Sequence, residues 1–124
     1  MRKGWALALV LLLLLPALAW GQSLTDAVVN SNATGDITIV AAVTGQQIHV
    51  YRLVIVVGAA TNLTFKDGAS TNLTGAMNML ANGSITLDYD GGSKAWFTTT
   101  AGNAFVINQS GTAQISGKVS YVLR

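Results

Sequence analysis

Residues 61–74 read TNLTFKDGASTNLT, and this stretch indicates the fold of the chain. Leu63 and Phe65 alternate with polar residues before Asp67-Gly68, and TNLT recurs at 71–74 beyond it. Asp-Gly between two alternating segments is a strong signal for a tight turn between antiparallel strands. The stretch therefore predicts a β-hairpin whose apolar side chains face a core.

The same kind of pattern continues on both sides of this hairpin. From residue 36 onward, short runs of β-branched and aromatic residues alternate with Gly, Asn and Asp at nearly regular intervals. The longest predicted strand is 47–57, and its last four residues are all apolar, which indicates a central strand covered on both faces at that end. We predict an all-β domain over 36–124, an antiparallel, jelly-roll-like sandwich of about eight strands.

The first 21 residues have the features of a secretory signal peptide. Arg2 and Lys3 precede a long apolar run, and Ala19 and Gly21 are the small residues expected before a cut at Gln22. We predict a hydrophobic signal helix over 1–21 and export to a cell or virion surface. The alternative is an uncleaved leader retained as a membrane anchor, which would be the chain's contact with a membrane. A polar segment, 22–35, is predicted to be a flexible arm.

Charge and cysteine content narrow the classes of function. Without Arg2 and Lys3, five basic residues remain against five aspartates, so the formal net charge falls from +2 to zero. A neutral chain offers no basis for nucleic-acid binding. It contains no cysteine, so disulfides cannot stabilise it after export. Sparse charge leaves little repulsion between copies, which favours self-association.

Residues suited to catalysis are few. Cysteine and glutamate are absent and His49 is the one histidine, which excludes a cysteine nucleophile, a multi-histidine zinc site and a glutamate acid/base pair. Asp88 and Asp90 precede Gly91-Gly92 as in the start of a calcium loop, but the remaining ligands are missing, so we interpret them as a capped turn. We predict a non-enzymatic protein with no catalytic residue, cofactor or metal.

Asn-x-Ser/Thr acceptor patterns occur five times, at Asn32, Asn62, Asn72, Asn82 and Asn108. A chain rich in Asn, Ser and Thr produces many such patterns by composition alone. We interpret the two TNLT copies as paired strands rather than as glycosylation sites or a solenoid repeat, because a solenoid needs at least three copies.

Aromatic and apolar residues outside the predicted core provide candidates for an interface. Trp96 and Phe97 are adjacent on one predicted strand, so one faces the core and the other points outward. The arm contains a single apolar segment, Ala27-Val28-Val29. The predicted interface residues are Trp96, Phe97, Tyr51, Ala27, Val28 and Val29.

Several pieces occur in an order that resembles a small all-β domain of tailed-phage virion proteins. They are AVTG at 42–45, YRLV at 51–54, TFKDG at 64–68, LTGAM at 73–77, ANG at 81–83, WFTTTAGNAF at 96–105 and NQSGTAQISG at 108–117. The resemblance covers about residues 36–123. It implies a jelly-roll module of head-decoration or fibre type that forms a homo-oligomer, with three copies as the expected number. It transfers no catalytic residue.

Three functions remain open at this point. The first is a self-associating structural module of a virion surface, whose partners are its own copies and a capsid. The second is a secreted subunit of a cell-surface filament or adhesive layer, in which 22–35 adds as a strand to the next copy. The third is a carbohydrate-binding module that uses Trp96 or Phe97. The resemblance favours the first.

Overall fold

The predicted strands are present in the computed structural model, which describes residues 23–124. Within this range the chain forms ten strands and no helix that could cross a membrane. They are β1 (Thr25–Ser31), β2 (Gly35–Val40), β3 (Ile48–Val57), β4 (Thr61–Asp67), β5 (Thr71–Asn72), β6 (Met77–Met79), β7 (Ser84–Leu87), β8 (Phe97–Thr98), β9 (Phe105–Gln109) and β10 (Ile115–Leu123). The predicted signal helix over 1–21 and the cut at Gln22 lie outside the described residues.

The strands form two five-stranded antiparallel sheets, which confirms the prediction of an all-β sandwich. Sheet A has the order β1-β10-β3-β7, and β8 also pairs with β3. Sheet B has the order β2-β9-β4-β5, and β6 also pairs with β4. One strand position in each sheet is therefore divided into two short strands. The described chain has ten strands where about eight were predicted, and β1 is one that was not predicted.

The core lies between the sheets and is built from alternate residues of each strand. Leu53, Ile55 and Val57 of β3 are fully buried. Phe65, from the hairpin at 61–74, lies 5.1 Å from Phe97 and 5.8 Å from Phe105, measured between ring centroids. The predicted hairpin is confirmed, because β5 pairs antiparallel with the end of β4 across the turn at Gly68.

The prediction that the apolar end of β3 is covered on both faces was wrong. Val54 and Val56 are 37% and 41% exposed on the outer face of sheet A. An apolar run shows that the strand is central in its sheet, but it does not show that a second layer of the same chain covers its outer face. That layer lies at the other end of β3, where Tyr51 is buried to 1% exposure.

The segment predicted to be a flexible arm differs in the structure, because Thr25–Ser31 forms the edge strand β1. All seven of its residues pair antiparallel with β10, and Val29 is buried. The carboxylate of Asp26 accepts hydrogen bonds from Ser120 Oγ at 2.6 Å and Lys118 Nζ at 3.2 Å. The polar residues that suggested an arm form the outer face of an edge strand.

Candidate binding surfaces on sheet A

The structure separates the six predicted interface residues into two exposed and four covered ones. Val28 is 78% exposed and Trp96 is 53% exposed. The covered residues are Tyr51 and Val29, which are buried, and Ala27 and Phe97, which pack against the core. As predicted for neighbouring strand residues, Phe97 faces inward and Trp96 faces outward.

Val28 lies on the same outer face of sheet A as Val54 and Val56, and we call these three residues the valine face. Strand register places Val28 opposite Lys118, and Lys118 opposite Val54, so these three residues form one row across β1, β10 and β3. Val56 lies two residues further along β3, on the same side of the sheet. With strands about 4.8 Å apart, Val28 and Val54 lie roughly 10 Å from each other.

Two of the charges beside the valine face, those of Lys118 and Asp26, pair with each other within the chain. Lys118 Nζ lies 3.2 Å from the Asp26 carboxylate, and both side chains are about half exposed. Hydrogen bonds from Ser120 and Lys118, together with the positive charges of Lys118 and Arg52, hold the pKa of Asp26 below its usual value. The carboxylate therefore stays ionised and paired at neutral pH, and the exposed Arg52 adds one positive charge beside the face.

A second surface, the aromatic cleft, lies at the other end of sheet A's outer face. Here the segment between β7 and β8 folds over β3. The Tyr51 hydroxyl donates to the Ser93 carbonyl at 3.1 Å, and the Tyr51 and Tyr89 rings meet edge to face at 5.4 Å. The indole N–H of Trp96 donates to the Asp88 carbonyl at 2.9 Å. The cleft encloses about 340 Å³ and is lined by Tyr51, Asp88, Tyr89, Asp90, Lys94, Ala95 and Trp96.

Of the two aspartates that line the cleft, Asp90 is hydrogen-bonded within its own loop. Asp90 Oδ1 accepts a hydrogen bond from the Gly92 amide at 2.8 Å, as expected for a capped turn. Within residues 23–124 no cluster of three or more His, Cys, Asp or Glu side chains is placed to hold a metal ion. The geometry around Asp88 and Asp90 therefore agrees with our interpretation of this segment as a turn.

His49 lies on the outer side of β3, and its ring stacks at 6.5 Å from that of Tyr51. Its ring nitrogens lie 3.3 Å from Gln47 Oε1 and 3.4 Å from Thr98 Oγ1. Burial, reinforced by the charge of Arg124, lowers its pKa. These neutral partners hold the imidazole in place as part of the strand surface.

Sequence reasoning missed Tyr89, Lys94 and the two aspartates as parts of a site. The signal that could have revealed them is the segment 88–96, DYDGGSKAW, which combines two aromatic residues, two carboxylates and an ammonium within nine residues. The pattern does not reveal that this segment folds over Tyr51, since the two are far apart in the sequence.

The five acceptor asparagines are distributed over both sheets and their turns. Asn32, Asn62, Asn72 and Asn82 are exposed, whereas Asn108 is half-buried and donates to Asp36 Oδ1 at 2.7 Å. Comparison with protein-family models, with curated proteins and with solved structures found no match to the chain.

Proposed function

We propose that this chain is a non-enzymatic structural module of a virion surface, of decoration or fibre type, that self-associates through the valine face. The observation that carries the proposal is the presence of Val28, Val54 and Val56 together on one uncovered sheet face. Apolar residues grouped on one surface commonly mark an interaction site. The resemblance to tailed-phage virion domains supports the same function and a three-copy assembly.

The pairing of the strands supports a jelly roll in particular. The first strand pairs with the last (β1 with β10), and the second with the last but one (β2 with β9). β3 then pairs with β7 and β8, and β4 pairs with β5 and β6. This is the pattern of one long hairpin rolled into two sheets, and jelly rolls of this kind are common in viral capsid proteins.

A second copy of the chain is the occupant that best suits the valine face. Four strands and the nine-residue β10 give sheet A an extent of about 19 Å by 30 Å. Segment 88–96 folds over one end of this face, so the valine face is the end left open to a second copy. Because Lys118 and Asp26 already pair within one chain, neither of them needs a charged partner from a second copy.

Placing a charge at the centre of the valine face is expected to dissociate the assembly. For protein comprising residues 22–124, we expect Val54→Lys to weaken association tenfold or more, about 1.4 kcal/mol, because an unpaired ammonium would be buried at the contact. Light scattering after size exclusion measures the change. The control is Thr38→Lys, on the exposed outer face of sheet B.

The two variants also define the outcome that contradicts the proposal. If Val54→Lys kept the molar mass of the unmodified chain while Thr38→Lys reduced it, the contact would lie on sheet B. The circular dichroism spectrum must match that of the unmodified chain in both variants, since both substitutions are at exposed positions and are expected to leave the fold intact.

One observation favours the secreted filament subunit as a second candidate. β1 is an edge strand at the start of the described chain, and it inserts Ala27 and Val29 toward the core. A neighbouring copy could supply the same strand in trans and so extend a filament. In the filament, β1 must therefore separate from the β10 of its own chain. In a closed oligomer, β1 and β10 of one chain remain paired.

A disulfide across β1 and β10 is expected to distinguish the two assemblies. Asn30 and Ser116 are directly opposite each other and exposed, and the chain has no other cysteine to interfere with Asn30→Cys/Ser116→Cys. We expect the oxidised protein to keep the molar mass of its reduced form, because the closed oligomer does not use an exchanged strand. Growth of open-ended polymers in the reduced form only would support the filament and contradict the closed module.

A further inference from the structure

We propose that the aromatic cleft binds an uncharged carbohydrate. The proposal does not depend on self-association, since the cleft and the valine face occupy different ends of sheet A. It rests on three features of the cleft: a hydrogen-bonded and exposed indole, polar groups of both kinds, and a support of packed aromatic rings.

The indole of Trp96 is held as a flat platform. It is 53% exposed although tryptophan is among the largest apolar side chains. Its N–H donates to the Asp88 carbonyl at 2.9 Å, and its backbone amide donates to the Val50 carbonyl at 2.8 Å. The polar edge of the ring is therefore satisfied, and an apolar ring face remains toward solvent. Such a face suits the C–H side of a sugar ring, which is apolar while its rim is polar.

The polar groups of the cleft include both acceptors and donors. Asp88 and Asp90 provide carboxylate oxygens, and Lys94 provides an ammonium. These three charges sum to −1, so the cleft repels an anionic ligand, and Lys94 offsets part of the attraction that the two carboxylates exert on a cation. An uncharged ligand rich in hydroxyl groups can donate to the carboxylates and accept from the ammonium at the same time. This mixture, next to an aromatic platform, indicates a neutral saccharide.

The rings beneath the cleft are packed and hydrogen-bonded, and such pre-organisation reduces the entropy lost on binding. Tyr51 is buried and tied to the Ser93 carbonyl, and Tyr89 packs against its edge. Phe97, next to Trp96, stacks on Phe105 in the core at 5.8 Å. The volume of about 340 Å³ lies at the lower end of the range for small-molecule sites. In an oligomer, each copy would present one such cleft, so a glycan-coated surface would be bound at several points.

Removal of the leader makes this proposal directly measurable. Trp5 and Trp20 lie within 1–21, so protein comprising residues 22–124 contains Trp96 as its single tryptophan. We expect titration with neutral hexasaccharides of glucose, mannose, galactose and N-acetylglucosamine to change its fluorescence for at least one sugar. Calorimetry with the same sugar should then show at least tenfold weaker binding for Trp96→Ala and a smaller loss for Trp96→Phe.

Two control variants distinguish sugar binding in the cleft from non-specific binding by exposed apolar residues and from effects of self-association. Leu80→Ala removes another exposed apolar side chain, 71% exposed, and should leave binding unchanged. Val54→Lys should bind the sugar with the same affinity per chain, so failure of self-association and failure of the cleft give different results. The proposal is overturned if none of the four sugars binds at millimolar concentration, or if Trp96→Ala binds as well as the unmodified chain. Binding of tetramethylammonium or heparin in place of the neutral sugars would also overturn it.

Discussion

Gly117→Ala is expected to unfold the domain. Gly117 lies in β10 between β1 and β3, and a Cβ built on it would collide with the backbone carbonyl oxygen of Val54. That Cβ would also lie 2.8 Å from the carbonyl carbon of Val54 and 3.1 Å from Ile55 Cα. The φ of Gly117, 155°, is a value that residues with a Cβ rarely adopt. The obstruction is backbone in the central strand of sheet A, so it cannot move aside as a side chain would.

The expected loss for Gly117→Ala is more than about 4 kcal/mol, in the range reserved for backbone collisions and severe core damage. Since small domains have a total stability of about 5–15 kcal/mol, urea denaturation should show a largely unfolded or strongly destabilised protein. Gly75→Ala is the matched control, because a Cβ there meets nothing within 4 Å and its φ is not positive. A Gly117→Ala protein whose stability lies within about 1 kcal/mol of the control would contradict this account of β10.

Asp67→Ala is expected to destabilise the domain by about 3 kcal/mol and to free the segment that follows β8. The buried carboxylate accepts from the Thr100 amide at 3.0 Å, from Thr100 Oγ1 at 2.7 Å and from Asn103 Nδ2 at 3.0 Å. These bonds join the turn after β4 to a segment 33 residues away. Hydrogen exchange should show faster exchange of the Thr100 amide. Asp36→Ala removes a more exposed carboxylate and should cost less than about 1 kcal/mol.

The contribution of Asp67 depends on pH with a defined sign. Burial raises the pKa of its carboxyl, but the hydrogen bonds from Thr100 and Asn103 outweigh burial, so the pKa in the folded chain is below its usual value. The stabilisation is therefore complete from about one unit above the unfolded pKa of about 4, and it is lost progressively as pH falls through that value and the lower folded pKa. The stability gap between the unmodified chain and Asp67→Asn should shrink between pH 5 and pH 3, taken as about one unit either side of the unfolded value. A gap that stayed constant would contradict this role.

The sandwich was predictable because apolar and polar residues alternate along its strands and clear turn sequences lie between them. The hairpin at 61–74 is the clearest case, since Asp67-Gly68 fixes the turn and Leu63 and Phe65 fix the inward side. β1 was missed because a seven-residue edge strand with Asp26 and Asn30 on its outer face has the composition of a polar arm. Edge strands need only one buried side, so their sequences indicate a strand weakly.

The valine face and the aromatic cleft were less predictable, because they depend on which segments of the chain cover the outer face of sheet A. The sequence marks 54–57 as apolar but does not distinguish cover by the same chain from cover by another copy. It identifies Trp96 as a candidate, but the cleft forms only when segment 88–96 crosses Tyr51 on a strand far earlier in the chain. Asp67 was predicted only as a turn residue, and its bonds to Thr100 and Asn103 follow from tertiary packing.

The most direct test of the central claim is the molar mass of protein comprising residues 22–124, measured by sedimentation equilibrium over a wide range of concentration. Self-association through the valine face predicts a discrete oligomer, with three chains as the expected number, that dissociates reversibly on dilution. A single-chain mass at every concentration up to the millimolar range would contradict the account. The valines of sheet A would then be an exposed surface without a second copy to cover it.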